Sequence, residues 1–126
     1  MIVLATDAPL DARQLRRLCV RAAAGLARVG SHYGHGSGDF VIAFSTTHRV
    51  EHETASLTTT RMVLADEQKA MGWLFPGIVE CVEEAVLNSL FRAETMVGRD
   101  GHTAYGLPVE QVAERVLKHQ RLEEDR

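Results

Sequence analysis

The stretch Ser31-His32-Tyr33-Gly34-His35-Gly36-Ser37-Gly38-Asp39-Phe40-Val41-Ile42-Ala43-Phe44-Ser45-Thr46 joins two kinds of sequence with no spacer between them. Its first half, to Gly38, is too rich in glycine for regular structure and predicts a loop. Its second half, from Asp39 to Thr46, is almost continuously apolar, β-branched or aromatic, which predicts a strand covered on both faces. Upstream, Asp11 stands as an N-cap with Gln14 three residues on, the capping-box spacing. From Ala12 to about Val29, Leu15, Leu18, Ala22, Leu26 and Val29 share one helical face, and Gly30 is placed to end the helix in the left-handed conformation. Arg13, Arg16, Arg17, Arg21 and Arg28 gather opposite, the pattern of a solvated face. Further upstream, Met1-Ile2-Val3-Leu4-Ala5-Thr6, bounded by Asp7-Ala8-Pro9, predicts a buried strand with no lead-in.

Downstream, Thr47 to Thr60 reads as a polar loop or weak edge strand and Arg61 to Leu64 as a short strand. A long helix is expected from Leu74 or Phe75 to Met96, with Pro76 in its first turn. Ile78, Val82, Ala85, Val86, Ser89 and Ala93 line one side, and Leu87 and Phe91 form a second stripe. Gly98 and Asp100-Gly101 close it. Leu107-Pro108 opens a final helix with Val109, Val112 and Val116 inward and a charged tail from Arg121 to Arg126. The result is an α+β layered domain occupying residues 1–126, in which two long helices share a sheet too small to shelter both.

Composition bounds the function. At 126 residues, with 45% hydrophobic and 25% charged residues, the chain is an ordinary globular domain. A formal charge of −3 argues against a nonspecific nucleic-acid partner. No apolar run approaches the length of a membrane span, and the N-terminal apolar run is too short for a signal-peptide core. Two distant cysteines, Cys19 and Cys81, fit buried thiols in a reducing cytoplasm rather than a disulfide framework.

Two groups carry candidate chemistry. In Gly36-Ser37-Gly38-Asp39, small residues let backbone N–H groups approach a substrate closely, and a hydroxyl and a carboxylate two apart can face one end of a sheet. The hydroxyl then orients a proton and the carboxylate holds that arrangement. A plain tight turn, with Asp39 capping loose N–H groups, is the competing reading. The second group, His48-Arg49-Val50-Glu51-His52, matches an H-x-x-E-H zinc pattern in which Glu51 serves as general base. Its surroundings are rich in threonine (Thr46, Thr47, Thr54 and Thr58 to Thr60) and suit a loop, whereas that chemistry needs both histidines on one helical face. His32 and His35 form a weaker H-x-x-H.

Four sets of residues, taken together, resemble one family. They are Val3-Leu4-Ala5-Thr6-Asp7-Ala8-Pro9-Leu10; Gln14-Leu15-Arg16-Arg17-Leu18 with Arg21-Ala22-Ala23 and Gly25-Leu26-Ala27-Arg28; Gly36-Ser37-Gly38-Asp39 with Ala43-Phe44-Ser45-Thr46; and Glu83-Glu84-Ala85-Val86-Leu87-Asn88-Ser89-Leu90 with Ala93-Glu94-Thr95-Met96. In this order they resemble, from about Ile2 to Leu107, the C-terminal part of the autoprocessing serine aminopeptidases that include L-aminopeptidase/D-esterase and β-peptidyl aminopeptidase enzymes.

The resemblance implies a four-layer αββα sandwich, of which this chain is half. It also implies a precursor that cuts itself before a serine, leaving a larger α chain and a smaller β chain. The freed serine attacks the carbonyl of a peptide, amide or ester with a free amino end and forms an acyl-enzyme. Ser37 and Asp39 match the two residues that support that serine, and Asp39 stands where some relatives carry Glu. No metal and no cofactor is implied. The sequence departs from the family at the nucleophile, because none of the first five residues is Ser, Thr or Cys. The chain is therefore expected to be inactive alone and to seek an α-chain-like upstream half or to self-associate, as a homo-oligomer. A non-catalytic assembly or binding module that keeps the half-sandwich is the alternative, with a small zinc protein using His48, Glu51 and His52 behind it.

Overall fold

The structure, a computed structural model, describes residues 1–53 and 56–124. Thr54, in the expected polar loop, and Asp125 and Arg126, at the end of the expected charged tail, lie outside the described residues. The chain divides into two compact units, Met1–Ala85 and Val86–Arg126.

The first unit is built on a parallel pair. Strand β1 (Ile2–Thr6) and strand β2 (Val41–Ser45) run side by side in the register Ile2 to Val41 through Thr6 to Ser45. Parallel strands cannot be joined by a tight turn, and helix α1 (Ala12–Arg28) makes the crossover. The capping box is complete. The Asp11 carboxylate accepts the Gln14 N–H at 2.7 Å, and Gln14 Oε1 accepts the Asp11 N–H at 2.9 Å. Gly30, at φ +94°, takes the left-handed turn after the helix.

Helix α2 (Glu67–Arg92) begins earlier and ends earlier than its apolar pattern suggests. Asp66 is the reason for the start, since its carboxylate accepts the Lys69 N–H at 2.9 Å and caps the first turn. Pro76 therefore stands inside the helix, where it deletes one ladder bond, and not in its first turn. The expected strand at residues 61–64 is absent, and that segment has no regular structure.

The core of the first unit is Leu4, Leu10, Leu18, Ala22, Met71 and Val82, with Ile2, Leu15, Val41, Ala43 and Phe75 packed around it. Leu10 and Leu18 are essentially inaccessible, and burying a leucine stabilises a fold by roughly 1.5–3 kcal/mol. Only one face of the parallel pair belongs to this core. Val3 on β1 and Ile42 and Phe44 on β2 point the other way and are exposed. This corrects the expectation of a strand covered on both faces, because among the described residues nothing lies over that side.

The arginines of α1 are not a plain solvated face either. Arg13 and Arg17 pair with Glu67 at 2.5 and 2.6 Å, Arg28 pairs with Glu83 at 3.0 Å, and the Arg21 guanidinium lies 4.0 Å from the centre of the Phe75 ring. The row along α1 thus grips α2.

In the second unit the last turns of α2 are followed by a small antiparallel ribbon of β3 (Met96–Val97) and β4 (Thr103–Ala104), closed by a 3-10 turn at Arg99–Gly101. Helix α3 (Val109–Glu124) follows Pro108. Val109 and Val116, expected inward, are exposed, as are Leu87 and Phe91 on α2. No helix among the described residues is long and apolar enough to cross a membrane.

Candidate active site

The loop between α1 and β2 leaves the helix through Gly30 and folds into a turn in which the Ser37 N–H donates to the Gly34 carbonyl at 2.8 Å. That turn brings Ser37 and Asp39 together, and the Ser37 hydroxyl donates to Asp39 Oδ2 at 3.0 Å. Both side chains are open to solvent. Gly36 and Gly38 do not take left-handed angles. A Cβ on Gly36 would meet nothing within 4 Å, and one on Gly38 only the Phe40 ring at 3.7 Å. Strain does not demand glycine there. What these glycines supply is bare backbone beside the pair, open to close approach.

The far end of the loop is fixed by the sheet. The Ile2 N–H donates to the Phe40 carbonyl at 2.8 Å, so the ladder begins at the second residue of the chain. With Ile2 opposite Val41, Asp39 lies just outside the ladder at the end where both strands start. The opposite end is closed by hydroxyls. Ser45 Oγ donates to the Ala8 carbonyl at 2.6 Å, Thr47 Oγ1 to the Asp7 carbonyl, and the Thr46 N–H to the Thr6 carbonyl at 2.8 Å. These residues fasten the turn after β1.

One member of the loop escaped the sequence reading. Tyr33 has φ +53°, and its hydroxyl donates to the Ala23 carbonyl of α1 at 2.5 Å. Burial, with the Asp39 carboxylate adding to it, raises the phenol above its ordinary pKa. A tyrosine among glycines gives no sequence signal of this role.

The second candidate group does not assemble. His48 to Glu53 is not helical, so His48 and His52 do not share a helical face, and His48 Nε2 is bonded to the Met62 carbonyl at 2.8 Å. The described residues contain no cluster of three or more His, Cys, Asp or Glu able to hold a metal ion. Cys19 is half-buried and Cys81 exposed, so the expectation of buried thiols fails for Cys81. Among the described residues, no layer covers that position on α2.

The model of peptidase family S58 matches residues 1–104. The chain belongs to this peptidase family. It is 41% identical over 119 residues to beta-peptidyl aminopeptidase BapA of Sphingosinicella xenopeptidilytica, covering 94% of this chain and 29% of that protein. Among solved structures it is similar to the PH0078 protein from Pyrococcus horikoshii OT3, with a TM-score of 0.83 and 42% identity over 94% of this chain and 33% of that one. It is also similar to the L-aminopeptidase D-Ala-esterase/amidase from Ochrobactrum anthropi, described as a prototype for the serine aminopeptidases and a variant of the Ntn hydrolase fold. That likeness has a TM-score of 0.82 and 33% identity, over 96% of this chain and 34% of that one. The chain thus spans about a third of the length of the relatives it matches. The α+β class and the half-sandwich expected from the sequence are those of this fold.

Proposed function

We propose that this chain is the β-chain-like part of an autoprocessing S58 aminopeptidase, in which Ser37 and Asp39 support a serine nucleophile held ahead of β1. The observation that carries this reading is the place of the Ser37–Asp39 pair, beside the first residues of β1 and tied there by the Ile2-to-Phe40 bond. Because the Ser37 hydroxyl donates its proton to Asp39, its lone pairs stay free to accept a hydrogen bond from the hydroxyl of a neighbouring nucleophile. The carboxylate stops the hydroxyl from turning away. The nucleophile's oxygen then attacks a carbonyl whose substrate has a free amino end, the leaving amine or alcohol departs with a proton, and water releases the acyl group. Residues 1–5 carry no such nucleophile. On this reading the chain does not turn over amides alone and works with an α-chain-like upstream half, in a cytoplasmic homo-oligomer.

The test is hydrolysis of amino-acid p-nitroanilides by this chain joined to the upstream region of its Sphingosinicella relative. Ser37→Ala and Asp39→Ala should each lower kcat by about a hundredfold, the usual scale for a group that handles a proton. Full activity in both variants would remove these residues from the mechanism.

A further inference from the structure

We propose that Tyr33 is a positioning residue for the Ser37–Asp39 pair, its phenol fastening the loop that presents them to the body of α1. The proposal rests on the catalytic reading above. Two observations meet at this side chain. Its backbone sits at φ +53°, in the left-handed region where a bulky aromatic residue rarely stands and where glycine or asparagine would sit at lower cost. Strain of this kind persists only where other bonds over-determine it. The bond that does so here runs from the Tyr33 hydroxyl to the Ala23 carbonyl at 2.5 Å, inside the last two turns of α1.

The consequence passes along the chain in three short links. Tyr33 is joined directly to Gly34, whose carbonyl accepts the Ser37 N–H at 2.8 Å. Ser37 in turn donates through its hydroxyl to Asp39. One end of the loop is therefore pinned to the helix through a phenol and the other to β1 through the Phe40 carbonyl. Without the phenol, the bonds that still hold the loop to α1 lie at its first residues, Gly30 N–H to the Ala27 carbonyl and Ser31 N–H to the Leu26 carbonyl, and Gly34 and the Ser37 turn lose the tether next to them. The donor role requires a protonated phenol, and both burial and the nearby Asp39 charge hold it so.

The test compares Tyr33→Phe, Tyr33→Gly and Asp39→Ala in the chain joined to the upstream region. Tyr33→Phe is expected to lower kcat about tenfold, the scale of one lost hydrogen bond, with KM within about twofold. Tyr33→Gly suits the left-handed backbone and should melt no lower than the parent, yet lose kcat to the same degree. A residue that merely stabilised the fold would give the opposite result, with activity following melting temperature, and that outcome overturns the proposal. Parental kcat in Tyr33→Phe beside an inactive Asp39→Ala also overturns it and leaves the catalytic reading standing. A fully active Asp39→Ala overturns that reading and this proposal together. Hydrogen exchange in the 126-residue chain tests the tether without turnover. The Ser37 amide should exchange about tenfold faster in Tyr33→Phe with the β2 amides unchanged, and an unchanged Ser37 amide overturns the tether.

Discussion

Glu67 is one carboxylate with three donors on it: the Arg13 and Arg17 guanidiniums and the Gln14 amide. The hydrogen bond from Arg13, then that from Gln14, hold its pKa down to about 2, below the ordinary 4.5. A carboxylate depressed in the folded state adds stability that is complete above its unfolded pKa and is lost as protons are forced on. Urea unfolding of this chain should therefore give a flat stability from pH 7 to about 5 and a decline between about pH 4.5 and 2. Glu67→Gln should lower the plateau and remove part of the decline, and an unchanged acid slope would count against the arrangement. None of this was legible in the sequence, because Arg13 and Glu67 are far apart along the chain and charge alone does not choose partners. The Ser37–Asp39 pair was legible, since a hydroxyl and a carboxylate two apart across one glycine meet through local geometry. Tyr33 was not, because its importance depends on which helix carbonyl the closed loop reaches.

Helices α1 and α2 approach each other closely at Gly25. A Cβ added there would lie 2.6 Å from the Val79 carbonyl oxygen and 2.8 Å from the Val82 Cβ, distances that backbone cannot yield cheaply. Gly25→Ala should therefore destabilise the first unit by about 1–3 kcal/mol despite alanine's better helix propensity, lowering its melting temperature by roughly 5–15 °C. If the variant melts within about 2 °C of the parent, the helices are not this close. The arginine row works at the same interface, so the helix pair combines a glycine notch with ion pairs along its rim. Both ends of α1 could be read from Asp11, Gln14 and Gly30, because caps are local chemistry. The start of α2 could not, because Pro76 imitates a first-turn proline and drew attention from Asp66, the residue that caps the helix.

At the scale of the whole chain, two sets of large apolar side chains stand exposed: the outer face of the parallel pair, at Val3, Ile42 and Phe44, and the late turns of α2, at Leu87, Leu90 and Phe91. Apolar patches of this extent normally meet another surface, and relatives three times as long supply candidates for it. Ile42→Thr combined with Phe44→Thr keeps strand propensity while removing the apolar side chains. In the 126-residue chain the pair should reduce binding of a hydrophobic dye by about half with the circular dichroism unchanged, and, on the function proposed above, should lower activity in the chain joined to its relative's upstream region. Equal dye binding in variant and parent would show that the patch lies elsewhere. A sheet too small for its helices was visible in the sequence as an imbalance of elements. The face left open was not, because a continuous apolar run does not say which side is covered.

The bond from the Ile2 N–H to the Phe40 carbonyl has one more effect. It commits the first available amide of β1 to the neighbouring strand, so the strand's position does not depend on being pulled from in front. If, as proposed, the backbone is cut immediately ahead of β1, the new chain end has little slack: it is born already moored to the residue that follows Asp39. Scission there would change which atoms are covalently joined and leave that noncovalent address as it was.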